Sequence, residues 1–166
     1  VDHRMMISAA VERPEGLVTY DALNEAVISR GSLSRILDFQ VSLNKDTICR
    51  YRADGLILST PTGSTAYSLS AGGPVVDPSM ECMILTPICP HSLLTRPVVF
   101  SASSLISAKA DSGSEIYLTL DGATSIRIEN GESICFSKSP LSVQLIQLHH
   151  KGFYQVVNEK LTERRN

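Results

Sequence analysis

Short apolar segments recur along most of the chain, at the intervals of roughly 8–12 residues that are typical of a β-sandwich or barrel. Residues 36–43 show the alternation of apolar and polar positions expected of a strand with one buried face. Other short apolar runs are predicted strands: residues 27–28, 56–58, 83–85, 98–100, 116–120, 126–128, 134–136 and 143–146.

Turn signals separate several of these runs. Asp121-Gly122, Asn130-Gly131 and Ser139-Pro140 each stand between two predicted strands. Asn-Gly is the strongest short hairpin signal when it lies between β-rich segments, so we predict a hairpin at Asn130-Gly131.

Two segments depart from the strand pattern. Residues 64–71 follow a proline and a glycine, and we predict a helix there, capped by Ser64 or Thr65 and ended by the Gly72-Gly73 pair. Residues 152–165 carry apolar side chains at helical spacing and predict a terminal helix.

Residues 21–28 are ambiguous, because propensity favours a helix whereas the apolar end of the segment favours a strand. The pattern as a whole predicts a mainly β fold, a multi-stranded β-sandwich with one internal helix and one C-terminal helix. The chain of 166 residues has the length of one domain, and we expect residues 1–166 to form it.

Composition narrows the classes of function. Net charge is −2 without a Lys/Arg block, which argues against nucleic-acid binding. No apolar run approaches the roughly 18 residues of a membrane span. The four cysteines form no C-x-x-C pair and no zinc-ligand spacing, so we expect no metal site and buried free thiols in a cytoplasmic protein. The chain starts without Met, directly before an apolar segment, and we expect it to be part of a longer protein.

The segment 54–67 carries the most chemistry: a strand, a turn rich in hydroxyls, then a helix start. Unpaired N–H groups at a helix start attract anions, and Gly63 lets a ligand approach the backbone. Tyr67 is placed to stack on a base, and Asp54 to accept hydrogen bonds from a sugar or an amide. The alternative is an ordinary capped helix in which Tyr67 only fills the core.

The stretch from Asp54 to Pro74 resembles the signature of NAD kinases, and four further segments occur in the family's order. Leu23-Asn24-Glu25 is similar to its Asn-Glu motif, and Pro87-Ile88-Cys89-Pro90-His91 to its Pro-x-x-Pro-His segment. Leu120-Asp121-Gly122 and Phe153-Tyr154 resemble its late Asp-Gly and its closing helix. The resemblance implies the family's carboxy-terminal NAD-binding domain.

The resemblance also implies roles for individual residues. Asn24 would meet the adenine and Glu25 the ribose hydroxyls, while Asp54, with Arg52 nearby, would face the nicotinamide or its ribose. The remaining dinucleotide-binding residues implied are Thr62, Thr65, Ala66, Tyr67 and Ser70. Asp121 and Ala123 are possible contacts: many members have a Gln where this chain has Ala123, and Asp121 is equally well explained as a plain turn residue. For His91 we favour a structural role in a corner braced by prolines.

The family's catalytic Gly-Gly-Asp-Gly motif is absent from these residues, and no phosphate-binding loop replaces it. We therefore expect no catalytic residue in this chain, and place the phosphoryl donor (ATP or polyphosphate), with a divalent metal such as Mg²⁺, on a preceding domain of the intact enzyme. The resemblance further implies NAD and NADP as ligands and a homodimer or homotetramer. Two alternatives remain: a lipid or sphingoid kinase-like domain, and a non-catalytic dinucleotide-binding module that assembles subunits.

Overall fold

The computed structural model describes residues 1–31, 36–92, 95–111, 113, 115–146 and 151–163, with only the backbone at 161 and 163. Its elements in chain order are β1 (Asp2–Arg13), β2 (Gly16–Ala22), β3 (Glu25–Arg30), β4 (Leu37–Leu43), β5 (Asp46–Ala53), β6 (Gly55–Ser59), a 3₁₀ turn (Thr62–Thr65), α1 (Tyr67–Ser70), β7 (Cys82–Ile88), β8 (Val98–Ser101), β9 (Ile106–Asp111), β10 (Ile116–Leu120), β11 (Thr124–Ile128), β12 (Ser133–Leu145) and α2 (Phe153–Glu163).

The strands form two six-stranded antiparallel sheets. The first sheet has the order β2-β1-β12-β9-β4-β5 and the second the order β11-β10-β3-β6-β7-β8. Side chains from both sheets, such as Ile7 and Phe136 from the first and Leu56 and Leu118 from the second, belong to one buried cluster. The predicted mainly β sandwich is therefore confirmed.

The outer face of the second sheet is covered in part by the segment that follows β6. Val76 from this segment packs with Cys82 and Ile84 of β7 in a second, smaller apolar cluster. Because both faces of β6 are covered, all five of its residues are buried. Glu25 at the start of β3 and Ser59 at the end of β6 consequently lie beneath this covering segment.

Every predicted strand lies within or overlaps an observed one, and the ambiguous segment 21–28 is resolved as the end of β2, a bend and the start of β3. The sequence pattern does not predict β1, β2, β5 or β9. β9 buries small residues such as Ala108 and Ala110, and β5 has alternate exposed polar positions at the edge of its sheet, so neither shows a strong apolar alternation.

The predicted hairpin at Asn130-Gly131 is wrong, because the strands on either side of it belong to different sheets. Gly131 does make a turn, with φ of 73°, and its N–H donates to the carbonyl of Ala110 at 3.0 Å. Asp121-Gly122 forms the hairpin instead, joining β10 to β11 with both φ angles positive, at 48° and 67°.

The turn predicted at Ser139-Pro140 is also wrong. β12 continues through it, and its pairing with β1 shifts register between Met5 and Ile7. A bulge of this kind accommodates a proline, which has no N–H to contribute to the ladder.

The predicted internal helix is present but broken. The 3₁₀ turn Thr62–Thr65 and the four-residue α1 are separated by Ala66, and neither has a side-chain cap. Gly72 ends the second turn with φ of 90°, as predicted. In α2 the predicted apolar positions Phe153, Val156 and Val157 are half-buried, whereas the predicted end at residue 165 lies outside the described residues.

Candidate functional site

A bend at Leu23 and Asn24 joins β2 to β3 and places Glu25 at the start of β3. The carboxylate of Asp121, in the β10–β11 hairpin, accepts three backbone N–H groups of this bend: Leu23 at 2.8 Å, Asn24 at 2.7 Å and Glu25 at 3.0 Å. The N–H of Asp121 in turn donates to the Glu25 carbonyl at 3.0 Å. The bend is thus held from one side by a residue almost 100 positions away in the chain.

Thr60 holds the same bend from the other side. Its hydroxyl donates to the Leu23 carbonyl at 2.6 Å and accepts the Gly63 N–H at 3.1 Å, and its own N–H donates to the Asn24 carbonyl at 2.9 Å. A Cβ at Gly63 would lie 2.5 Å from the carbonyl carbon of Asn24 and 2.8 Å from its Cα. The close approach of Asn24 therefore requires a glycine at this position.

Glu25 is a buried acid with an unused oxygen. Its side chain is 7% exposed, and its Oε2 atom has no hydrogen-bond partner within the described part of the chain. Burial raises the pKa of the Glu25 carboxyl, the charge of Asp121 raises it further, and a hydrogen bond from the backbone N–H of Tyr67 opposes both. A carboxylate held in this way can accept a hydroxyl from a ligand.

Two further polar atoms near Glu25 are buried without a partner among the described residues. Ser59 pairs with Glu25 across the antiparallel strands, so both side chains lie on the same face of the sheet. Its Oγ and the Oγ1 of Thr62, three residues later, lack hydrogen bonds. Because buried polar atoms are nearly always satisfied in folded proteins, this group marks a place where a polar ligand or water belongs.

The exposed wall of the site comes from the broken helix. Tyr67 is 45% exposed, which rules out the alternative that its ring only fills the core. Thr65 and Ser70 are exposed beside it, and Asn24 and Ala66 are partly exposed. The backbone N–H of Tyr67 donates to the Glu25 carboxylate, so the two residues on which the predicted binding site depends most are in direct contact.

Three of the N–H groups at the helix start, where the sequence predicts an anion site, already have partners within the protein. The N–H groups of Ser64 and Ala66 donate to the carbonyls of Pro61 and Gly63, and that of Tyr67 to Glu25. The predicted capping role of Ser64 is wrong, because its hydroxyl donates to the carbonyl of Val76 and accepts its N–H, at 3.2 and 3.1 Å.

Asp54 lies at the opposite end of the same strand pair. Its carboxylate accepts a hydrogen bond from the Arg30 guanidinium at 3.0 Å, and both side chains are 37% exposed. Since β3 and β6 pair from Glu25–Ser59 to Ser29–Gly55, about 3.3 Å of rise per residue separates the two ends by roughly 13 Å. Glu25 and Asp54, two of the predicted site residues, therefore lie at opposite ends of one strand pair.

Arg52 does not join Asp54. It pairs with Asp38 at 3.3 Å on the outer face of the first sheet, where both side chains are about 60% exposed. A cavity of about 450 Å³ opens there, with Arg50 and Lys109 also in its lining. Arg52 and Asp54 thus form separate ion pairs, with Asp38 and Arg30 respectively.

The Pro-x-x-Pro-His segment leaves β7 at Ile88 and turns at Cys89, which has φ of 46°. Cys89 is exposed, contrary to the expectation of four buried thiols. His91 is also exposed, and its backbone N–H donates to the carbonyl of Arg52 at 2.9 Å. Ala123 is exposed in the β10–β11 hairpin.

Ser59, Thr60 and Arg30 belong to the site, but the sequence analysis does not select them. The hydroxyls of Ser59 and Thr60 follow an apolar strand directly, which is a usable signal. Arg30 has no local signal, because only the pairing of β3 with β6 brings it to Asp54.

The described residues contain no group of three or more His, Cys, Asp or Glu side chains that could hold a metal ion. None of the described helices has the length and apolar character to cross a bilayer.

Comparisons with known proteins agree with this architecture. Residues 23–148 match the model of a family described as the ATP-NAD kinase C-terminal domain. The NAD kinase of Moorella thermoacetica is 44% identical over 98% of this chain and 53% of its own length. The NAD kinase of Trichlorobacter lovleyi is 41% identical over 97% of this chain and 58% of its own. The chain therefore spans about half the length of these relatives.

Two solved structures share the fold. Yeast NADH kinase, complexed with NADH, superposes with a TM-score of 0.78 and 33% identity, covering 83% of this chain and 41% of that one. An NAD kinase from Archaeoglobus fulgidus in complex with ATP gives a TM-score of 0.72 and 31% identity, covering 85% and 53%. With the family match over residues 23–148, these similarities show that the chain belongs to the ATP-NAD kinase C-terminal domain family.

Proposed function

We propose that the intact protein is an NAD kinase and that residues 1–166 are its single NAD-binding domain. The enzyme transfers a phosphoryl group from ATP or another donor, such as polyphosphate, to the adenosine 2′-hydroxyl of NAD, giving NADP. Family membership and relatives named NAD kinase support this proposal. The observation that carries it is the buried Glu25 carboxylate with a free oxygen, in contact with a half-exposed tyrosine.

The adenosine end of NAD binds at the group formed by Asn24, Glu25 and Tyr67. The free Oε2 of Glu25 accepts a hydroxyl of the ribose, which also restores a partner to a buried acceptor. The Tyr67 ring stacks on the adenine, and the side-chain amide of Asn24 reads the polar edge of the base. Thr62, Thr65, Ala66 and Ser70 line the same dinucleotide pocket, while Ala123 lacks the polar group of the Gln found there in many relatives.

The nicotinamide nucleoside lies toward Asp54. This carboxylate is at the other end of the strand pair, and a dinucleotide likewise has two nucleosides separated by a diphosphate. The Asp54 carboxylate is already paired with the Arg30 guanidinium at 3.0 Å. The pair therefore offers an acceptor oxygen and a cationic group to the nicotinamide or its ribose. Arg52, which pairs with Asp38, acts there only after a change of partner.

Phosphoryl transfer itself is assigned to the rest of the intact enzyme. The chain spans about half the length of its NAD kinase relatives, and the Gly-Gly-Asp-Gly motif is not among its residues, so we place donor, Mg²⁺ and catalytic acid on the rest of the intact enzyme. The role of this domain is to bind and orient the acceptor. We place the enzyme in the cytoplasm, where the four free cysteines would stay reduced.

We also propose a homodimer or homotetramer. β8 is an edge strand of the second sheet, and its Val98 and Val99 are 43% and 49% exposed. An exposed apolar edge strand is a ready template for pairing with another chain, and burial against a second subunit would cover it. Light scattering of the intact protein should give a mass of two or four subunits, and a monomer at every concentration would contradict this.

The test of function uses the intact protein with the variants Glu25→Gln and Tyr67→Ala, and Glu12→Gln as a control on an exposed position of β1. NADP should form from NAD with ATP or polyphosphate, and both site variants should bind NAD at least about tenfold more weakly, the loss of one good interaction of about 1.4 kcal/mol. The control should bind as the wild type does. Failure to form NADP with any donor would refute the enzyme assignment, and lipid phosphorylation in its place would favour a lipid kinase. NAD binding with no transfer to any acceptor would favour the non-catalytic module.

A further inference from the structure

We infer that Asp121 is a positioning residue for NAD binding, which acts by closing the bend that presents Asn24 and Glu25 and not by touching the ligand. The inference rests on the proposed function and assigns the role of a residue for which the sequence left ligand contact and a plain turn equally open.

The acceptor capacity of the Asp121 carboxylate is largely used inside the protein. Its Oδ1 accepts the N–H groups of Asn24 and Glu25, and its Oδ2 accepts that of Leu23. An ionised carboxylate offers about four lone-pair positions, so three of them are occupied here. A ligand contact through this group would have to use the remaining position or break the bend.

The backbone of the bend is held by two residues that bind different groups. Thr60 holds its carbonyl groups, at Leu23 and Asn24, whereas Asp121 holds its N–H groups. The two residues therefore hold complementary groups of the same backbone and together form a clamp on the bend. Hydrogen bonds to a charged acceptor are about twice as strong as neutral ones, so the Asp121 side of this clamp is the stronger one.

Asp121 also acts on Glu25 through its charge. The groups that face Glu25 are Asp121 from the β10–β11 hairpin, the Tyr67 N–H from α1 and the Ser59 hydroxyl from β6. Asp121 is the charged member of this set, and it raises the pKa of the Glu25 carboxyl, as burial does. Protonated Glu25 loses an acceptor, so NAD binding should weaken as pH falls through that raised pKa. Removing the charge of Asp121 should move this loss to lower pH.

The experiment measures NAD affinity of the intact protein by calorimetry from pH 5 to pH 8. The variants are Asp121→Asn, Glu25→Gln and the double variant. Asn is the matched replacement, because it tolerates the positive φ of 48° at this position and keeps one acceptor oxygen. Asp121→Ser is a second variant in case the first fails to fold. Asp46→Asn, at an exposed position beside the β4–β5 hairpin turn, is the control.

Three results are expected together. Asp121→Asn should bind NAD about tenfold more weakly at pH 8, the loss that corresponds to one charge-assisted hydrogen bond. The midpoint of its pH dependence should lie below that of the wild type. The double variant should lose less affinity than the sum of the two single losses, because part of the effect of Asp121 is exerted through Glu25.

Each other result overturns the inference. Wild-type affinity in Asp121→Asn would show that the clamp is dispensable, and weaker binding with an unchanged pH midpoint would show a structural role only. Additive losses in the double variant would show that Asp121 does not act through Glu25. If the wild type binds no NAD, the proposed function fails separately. A ¹³C NMR titration of the Glu25 carboxyl still decides the coupling, which is refuted if Asp121→Asn leaves that titration unchanged.

Discussion

Gly63→Ala tests whether the site depends on the close approach of two backbone segments. The added Cβ would lie 2.5 Å from the carbonyl carbon and 2.8 Å from the Cα of Asn24, and neither distance is possible without movement. The obstacle is backbone, so it cannot rotate away as a side chain does. Asn24 is further held by its hydrogen bonds to Thr60 and Asp121, at 2.9 and 2.7 Å.

The size of the effect follows from this geometry. Overpacking a buried position costs about 1–3 kcal/mol and occasionally more. Because the Gly63 clash meets hydrogen-bonded backbone, we expect the upper end, about 3 kcal/mol. In a domain of this size about 1 kcal/mol shifts the melting temperature by 2–4 °C, so we expect a decrease of roughly 6–12 °C. Movement of Asn24 would also displace Glu25, and NAD affinity should fall at least about tenfold.

The measurement is thermal unfolding of the wild type, Gly63→Ala and the control Gly152→Ala, together with NAD titration. No heavy atom of the described residues lies within 4 Å of a Cβ added at Gly152, so its variant should stay within about 0.5 kcal/mol of the wild type. A Gly63→Ala protein as stable as the control, with unchanged NAD affinity, would refute the proposed dependence of the site on this contact.

Three further outcomes follow from the structure. The pKa of Glu25 is higher in the folded protein than in the unfolded chain, so between these two values the folded protein binds more protons. The free energy of unfolding therefore falls as pH rises through that range. Urea midpoints should show this fall in the wild type but not in Glu25→Gln, which should be the more stable protein at neutral pH. Ser64→Ala leaves the buried N–H of Val76 without its acceptor and should cost about 1–3 kcal/mol in urea unfolding, and a neutral change would contradict the pairing. Arg30→Gln removes a partly exposed ion pair to Asp54 and should change stability by less than about 1 kcal/mol, so a larger loss would mean that the pair matters to the fold as well as to the ligand.

Most strands with large apolar residues could be predicted from local pattern, because alternating apolar positions indicate a buried face. β1 is an exception, although it buries Met5, Ile7 and Val11. β9 could not be predicted, since its core positions carry small residues such as Ala108, whose burial depends on neighbours from the other sheet. The Asn130-Gly131 prediction failed for a related reason. Turn chemistry specifies a change of direction, but it does not specify whether the next strand pairs in the same sheet.

In the candidate site, too, some residues could be selected from local sequence, whereas the roles of others depend on distant parts of the chain. Glu25 and Tyr67 could be selected from the motif resemblance, and the structure brings them into contact. The function of Asp121 as a clamp could not be predicted, since its three N–H donors lie 96 to 98 residues away in the chain. Gly63 could be selected from the sequence, but its contact with Asn24 could not. A glycine signals close approach, whereas only the fold identifies Asn24 as the group that approaches.

A crystal structure of the intact protein with NAD tests the central claim most directly. The account predicts an adenosine ribose hydroxyl within hydrogen-bond distance, about 2.6–3.2 Å, of Glu25 Oε2, and the adenine stacked on Tyr67. Adenosine bound elsewhere, for example in the cavity beside Arg52, with Glu25 Oε2 still unpaired, would contradict it.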